Sequence, residues 1–207
     1  MNHLTEEQKL QLQITFSALS NDEETIYSGC LEYIHKHSFQ PLYEALLQLH
    51  LFAGYPCALT ALSILYKAFK ELYPDAVLNE SIENDESDFI LLKEKGIRTC
   101  ELIYTKSYAP LMAKIKEFSP QLQEWMVVDG YGKTLSRKDL SIADREILIV
   151  AVLTKQGWKK QLYSHIRGAK NVGCTKEILD ELLEFGNEFF SVEERHIAKE
   201  IIDTIYN

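Results

Sequence analysis

Ile147 to Leu153 is the longest clean apolar run in the chain, and the residues that frame it leave few ways for it to fold. Ser141 offers an N-cap, Asp144 and Glu146 fall in the first turns, where the helix dipole favours acids, and Gly157 stands where a left-handed C-cap is needed. A helix that is apolar on all sides belongs at the centre of a core. The run is far shorter than the roughly 20 residues a bilayer span requires.

The rest of the sequence reads as helices around that one. Glycine and proline are sparse, at 9 and 5 in 207 residues, and helical spacing recurs where two-residue alternation does not. Thr5 with Gln8 forms a capping box for a helix reaching about Leu19. Asn21-Asp22 starts another, over about Glu23 to His35, and Pro41 sits in the first turn of a third. Gly54-Tyr55-Pro56 is a break before a largely buried helix from Ala58 to Leu72. Further on, helices are expected from about Arg98 to Phe118, with an interruption near Ala109-Pro110, and briefly around Trp125 and Met126. Asp129-Gly130-Tyr131-Gly132 reads as a loop. Trp158 to Val172, Thr175 to about Phe190 and Val192 to Tyr206 complete an all-α fold. Short connections between helices imply antiparallel packing.

The spacing suggests two related halves packed as one unit, residues 1–95 and 96–207. A shift of 137 residues lays Glu44-Ala45-Leu46-Leu47 on Glu181-Leu182-Leu183-Glu184, within similar helix patterns. Between the halves, Asp75, Glu80, Glu83, Asp85, Glu86 and Asp88 read as a solvated connector rather than a metal site, because nothing there fixes ligand geometry.

A net charge of -9 disfavours nucleic acid and anionic membrane surfaces, both of which need clustered Lys and Arg. The N-terminal residues show neither a basic nor an apolar signal region, which points to a cytoplasmic protein. Cys30, Cys57, Cys100 and Cys174 are far apart and form no zinc pattern, so they read as reduced thiols. No Gly-rich phosphate loop is present, and neither a cofactor nor a metal is expected.

Chemistry concentrates in the hairpin hinged at Gly157. Glu146 precedes the hinge by 11 residues and His165 follows it by 8, so the two lie roughly 16 and 12 Å from the turn. In an antiparallel pair they come within about a helical turn of each other. Facing inward, the carboxylate orients the imidazole, and the two form a general acid/base couple. Spacing alone leaves two alternatives open: Glu146 turned to solvent, or His165 a buried histidine with satisfied hydrogen bonds.

Two stretches resemble the motifs of the carboxymuconolactone decarboxylase family. Tyr131-Gly132-Lys133-Thr134-Leu135-Ser136-Arg137, Leu140 and Arg145-Glu146-Ile147-Leu148 are similar to its entry motif. Gln161-Leu162-Tyr163-Ser164-His165-Ile166-Arg167-Gly168-Ala169, with Asn171, Gly173 and Thr175, is similar to its second. Together they cover about residues 119 to 184. Leu46-Leu47-Gln48 and Phe52-Ala53-Gly54-Tyr55-Pro56 resemble the family's later motif, which makes the first half a diverged second copy. At the 137-residue shift Lys9 and Ser28 stand where Glu146 and His165 do, so that copy has lost the couple; Gln48, His50 and Tyr55 remain candidates for a pocket wall.

The resemblance implies an alkylhydroperoxidase D-like helical fold, a homo-oligomer and a cofactor-free lyase or isomerase acting on a small anionic, lactone-like molecule. In that reading His165 transfers the proton, Glu146 orients it, Arg137 binds a carboxylate, and Tyr131, Trp158 and Trp125 line the pocket. Arg145 is left to pair with a structural acid. The related alkylhydroperoxidase D proteins carry a Cys-x-x-Cys just before the histidine. Here those positions are Trp158 and Gln161, and a thiol cycle needs both an attacking and a resolving sulfur. Cys174, at a helix start, is read as a buried or capping thiol. A peroxidase is thus the disfavoured alternative, and a non-catalytic helical assembly or binding module is the third.

Overall fold

The computed structural model describes residues 3–78 and 89–207, and every regular element among them is helical. From Glu80 onward the expected acidic connector lies outside the described residues. Compactness divides the chain into two units, Met1–Val77 with Asp139–Asn207, and Leu78–Lys138. Residue 95, where the sequence halves divide, lies inside a helix of the second unit.

In the first unit the chain begins with α1 (Glu6–Leu19), capped by Thr5 and Gln8 as expected, and α2 (Glu23–Lys36), where Asp22 accepts from the Thr25 N–H. The helix around Pro41 is α3 (Phe39–Leu47), followed by a single turn, α4 (Leu49–Phe52). Gly54, at φ 86, turns the chain into α5 (Tyr55–Leu72), which starts three residues earlier than expected because Pro56 fits a first helical turn. Leu10, Ile14, Ile26, Cys30, Tyr33, Leu42, Leu46, Leu65 and Ala68 form the core shared by these helices, together with Val152.

The second unit holds α6 (Phe89–Tyr104), a 3-10 turn at Thr105–Ser107, α7 (Tyr108–Phe118) and α8 (Pro120–Trp125). The interruption thus falls before Ala109-Pro110. Pro110 sits in the first turn of α7, where its missing N–H is one of the helix's unpaired donors anyway. The loop expected at Asp129–Gly132 is instead part of a π-helix, Met126–Leu135. It packs on α6 at a very close crossing. A Cβ on Gly96 would lie 1.9 Å from the Val127 carbonyl oxygen, and one on Gly132 would lie 2.1 Å from that of Leu92. Glycine's lack of a side chain, not loop flexibility, is what this segment uses.

The chain returns to the first unit with α9 (Ile142–Gln156), α10 (Lys159–Asn171), α11 (Lys176–Phe185) and α12 (Val192–Tyr206). Arg145 through Thr154 are all buried, so α9 is the central rod that its composition demands. α11 stops at Phe185, five residues short of the expected end. Phe189 and Phe190 lie beyond it and pack on Phe16 of α1, with centroids 4.7 and 5.1 Å away.

Adding 137 to the bounds of α1, α2, α3 and α5 gives 143–156, 160–173, 176–184 and 192–209, close to those of α9, α10, α11 and α12. Ion pairs cross between the two sets reciprocally. Arg145 of α9 meets Glu44 of α3 at 2.8 Å, and Lys9 of α1 meets Glu181 of α11 at 3.2 Å. Glu44 and Glu181 are themselves 137 residues apart.

Candidate functional site

The hairpin that carries the site is closed by Gly157 at φ 70, whose N–H donates to the Thr154 carbonyl while that of Trp158 donates to Leu153. A left-handed residue at this point ends α9 and turns the chain so that α10 packs back along it. The two facing positions are Glu146 and His165. His165 Nδ1 lies 2.9 Å from Glu146 Oε2, with the imidazole 6% and the carboxylate 0% exposed. A carboxylate at Nδ1 holds the ring as the Nδ1–H tautomer, which leaves Nε2 as the nitrogen able to exchange a proton with a ligand. The other carboxylate oxygen, Oε1, is buried and has no hydrogen-bond partner among the described residues.

Phe52 of α4 closes on the imidazole from the first half, edge to face at 90°, with centroids 5.4 Å apart. Sequence reasoning did not assign this residue to the site, although its motif, Phe52-Ala53-Gly54-Tyr55-Pro56, was in view. The residues proposed for that wall stand elsewhere. His50 Nδ1 is 2.7 Å from the Leu47 carbonyl, its ring is 5.4 Å from that of Tyr55, and Tyr55 is exposed. Gln48 is buried. Beside Glu146, Arg145 takes the structural role left to it, donating to Glu44 Oε2 at 2.8 Å with both side chains buried.

The expected ligand-contacting residues are dispersed. Trp158 caps the N-terminus of α10 and is 59% exposed, two helical turns from His165. Trp125, Tyr131 and Arg137 belong to the other unit. There Trp125 is 60% exposed, Tyr131 is buried with its hydroxyl hydrogen-bonded to that of Tyr104, and Arg137 is half-buried. Two clefts indent the first unit. One, of about 310 Å³, lies among Ala18, Ala53, Cys57 and Gln156, and the other, of about 410 Å³, lies among Lys9, Lys36, His37 and Phe185. Neither wall includes Glu146 or His165.

At the equivalent place in the first half, Lys9 is engaged with Glu6 and Glu181, and Ser28 donates to backbone carbonyls of its own helix. Cys174 is buried, its thiol donating to the Ala143 carbonyl at 3.6 Å. Burial pushes this thiol up to about 12, and the carboxylates of Glu146 and Asp144 add to the rise. Desolvation overrides the helix-start position, so this thiol is not a nucleophile near neutral pH. Among the described residues no helix is long and apolar enough to cross a membrane.

Comparison with known proteins agrees with this geometry in its central part. Residues 120–190 match the model of the carboxymuconolactone decarboxylase family. Two curated relatives are both named Peroxisomal protein 2. The one from Saccharomyces cerevisiae is 30% identical over 88 residues, which are 42% of this chain and 31% of the relative. The one from Schizosaccharomyces pombe is 23% identical over 167 residues, 79% of this chain and 76% of the relative. The match therefore spans about a third of the length of the first and three quarters of the second. These names overturn the expectation of a cytoplasmic protein, which rested on the absence of a signal region. Through residues 120–190, the stretch that holds both Glu146 and His165, the chain belongs to the carboxymuconolactone decarboxylase family.

Proposed function

We propose that this protein is a carboxymuconolactone decarboxylase-like lyase or isomerase that works without a cofactor on a small anionic, lactone-like molecule. The observation that carries the reading is the buried 2.9 Å contact between His165 Nδ1 and Glu146 Oε2. Decarboxylation breaks the bond between the substrate's ring and its carboxylate, and carbon dioxide leaves. The electron pair moves into the adjoining unsaturation, and a proton from His165 Nε2 then quenches the resulting carbanion or dienolate. Glu146 stabilises the imidazolium before the transfer and holds the ring in place. Its Oε1 is available to a donor brought by the substrate. Arg137 would bind the carboxylate, with Tyr131, Trp125 and Trp158 as further ligand contacts; Arg137→Ala would then raise KM more than it lowers kcat.

The test is carbon dioxide release from a muconolactone-type carboxylic acid. Turnover by the wild type and a loss of about 10²–10⁴-fold in His165→Gln, with unchanged helical circular dichroism, is the expected result. Equal turnover in the variant removes His165 from the mechanism. A wild type inert toward such lactone acids favours a second reading, a helical scaffold that kept the fold without the reaction. That reading has its own support: His165 is 5% exposed, and neither cleft reaches it. A hydroperoxidase of the thiol type is disfavoured by Trp158 and Gln161 in place of its cysteines and by the high pKa of Cys174.

We extend the peroxisomal name of the relatives to this chain as part of the proposal, together with a homo-oligomeric state. The origin of the unit from two copies of one helical half belongs here too. It is supported by the 137-residue correspondence of helix bounds and by the reciprocal pairs Arg145–Glu44 and Lys9–Glu181.

A further inference from the structure

α5 carries an outward stripe that its own fold does not explain. Tyr55, Leu59, Tyr66 and Tyr73 are 69, 64, 51 and 48% exposed, and Leu62 and Phe69 are partly buried between them. Their positions run 55, 59, 62, 66, 69 and 73, alternating steps of four and three, which is the spacing of a helix that packs along another helix. The equivalent helix shows what this place in the fold tolerates. In α12 the residues 137 further on from Tyr55, Leu59, Leu62 and Tyr66 are Val192, His196, Lys199 and Asp203. There Lys199 pairs with Asp180 and Asp203 at 2.9 and 2.8 Å, and His196 lies 3.3 Å from Glu200. One helix meets water with charge; its counterpart presents tyrosine and leucine at the same register.

We infer that the α5 stripe is a twofold interface with a second copy of this chain, two α5 helices lying antiparallel. Antiparallel pairing about the middle of the stripe sets Leu62 against Tyr66, Leu59 against Phe69 and Tyr55 against Tyr73, so one surface meets itself without a second patch. The four exposed side chains offer about 500 Å², before their neighbours are added, against about 800 Å² per partner in an ordinary stable interface. Charge supports self-pairing at this place. The chain carries -9, whereas the charged residues of α5 are Lys67, Lys70 and Glu71, a local balance of +1, so the repulsion between two acidic copies is least along this helix.

The inference rests on the oligomeric part of the proposed reading and not on its chemistry, since the mass of the assembly is read without substrate. Sedimentation of the full chain into the high micromolar range is expected to give a dimer, or a larger even-numbered assembly. Leu59→Asp with Tyr66→Asp should weaken that association on the order of 100-fold and lower the mass at least twofold at unchanged circular dichroism. If the double variant fails to fold, Leu59→Ser alone decides in the same assay. His196→Ala, on the equivalent face of α12, should leave the mass unchanged. A monomeric wild type overturns the inference, as does an assembly whose mass both α5 variants leave intact. Loss of mass in His196→Ala instead would move the interface to α12 and overturn it equally.

Discussion

Glu44 and Arg145 are the residues on which the central helix turns. Their buried contact joins the first helical set to the start of α9, one position before Glu146. Removing one charge leaves the other stranded away from water, so Glu44→Gln should lower the unfolding free energy by about 3–5 kcal/mol. Replacing both, with Glu44→Leu and Arg145→Met, should recover most of that loss in the same denaturant titration. A full-sized loss in the double variant would show that the site needs the charges themselves. The thiols make a second prediction at this scale. Burial pushes Cys30, Cys100 and Cys174 from 9.0 up to about 12 in the folded chain. Above pH 9 the unfolded chain releases these protons while the folded one keeps them. Their contribution is therefore present below pH 9 and declines as pH rises toward about 12, by up to about 1.4 kcal/mol per pH unit for each thiol. Urea midpoints measured across that window should fall steadily, and the slope should flatten when the three are replaced by alanine.

At the level of helices and turns, two glycines separate conformational from steric demand. Gly157 is left-handed at φ 70, and a Cβ there would meet nothing within 4 Å, so Gly157→Ala should cost only the backbone preference, roughly 1–2 kcal/mol. Gly96→Ala places its Cβ 1.9 Å from a carbonyl oxygen, which cannot swing aside as a side chain can. That substitution should cost about 3 kcal/mol or more and loosen the packing of α6 on the π-helix, visible as faster amide exchange across Met126–Leu135. Equal costs at the two positions would contradict the close crossing. Most helices were legible from caps and breaks: Thr5, Ser141, Gly157 and Gly173 each mark a boundary through backbone chemistry confined to a few residues. The π-helix was not, because Asp129-Gly130-Tyr131-Gly132 carries the composition of a turn, while the need for two bare backbones to touch lies in the facing helix.

For the molecule as a whole, the proposed peroxisomal placement has a direct test. A fluorescent fusion of the full chain should gather with a peroxisomal marker in yeast, and an even cytosolic distribution would withdraw the placement. The all-helical class, the buried central helix and the approach of Glu146 to His165 were all determined by the sequence. Periodicity, caps and the count of residues either side of one glycine act locally, and a helical hairpin converts sequence distance into height with little freedom. Tertiary structure alone decided that Phe52 covers the imidazole, that Glu44 anchors Arg145 and that both tryptophans face outward. Those outcomes depend on how helices far apart in the chain register against one another. Many side chains share the work of setting that register, and no short motif records it.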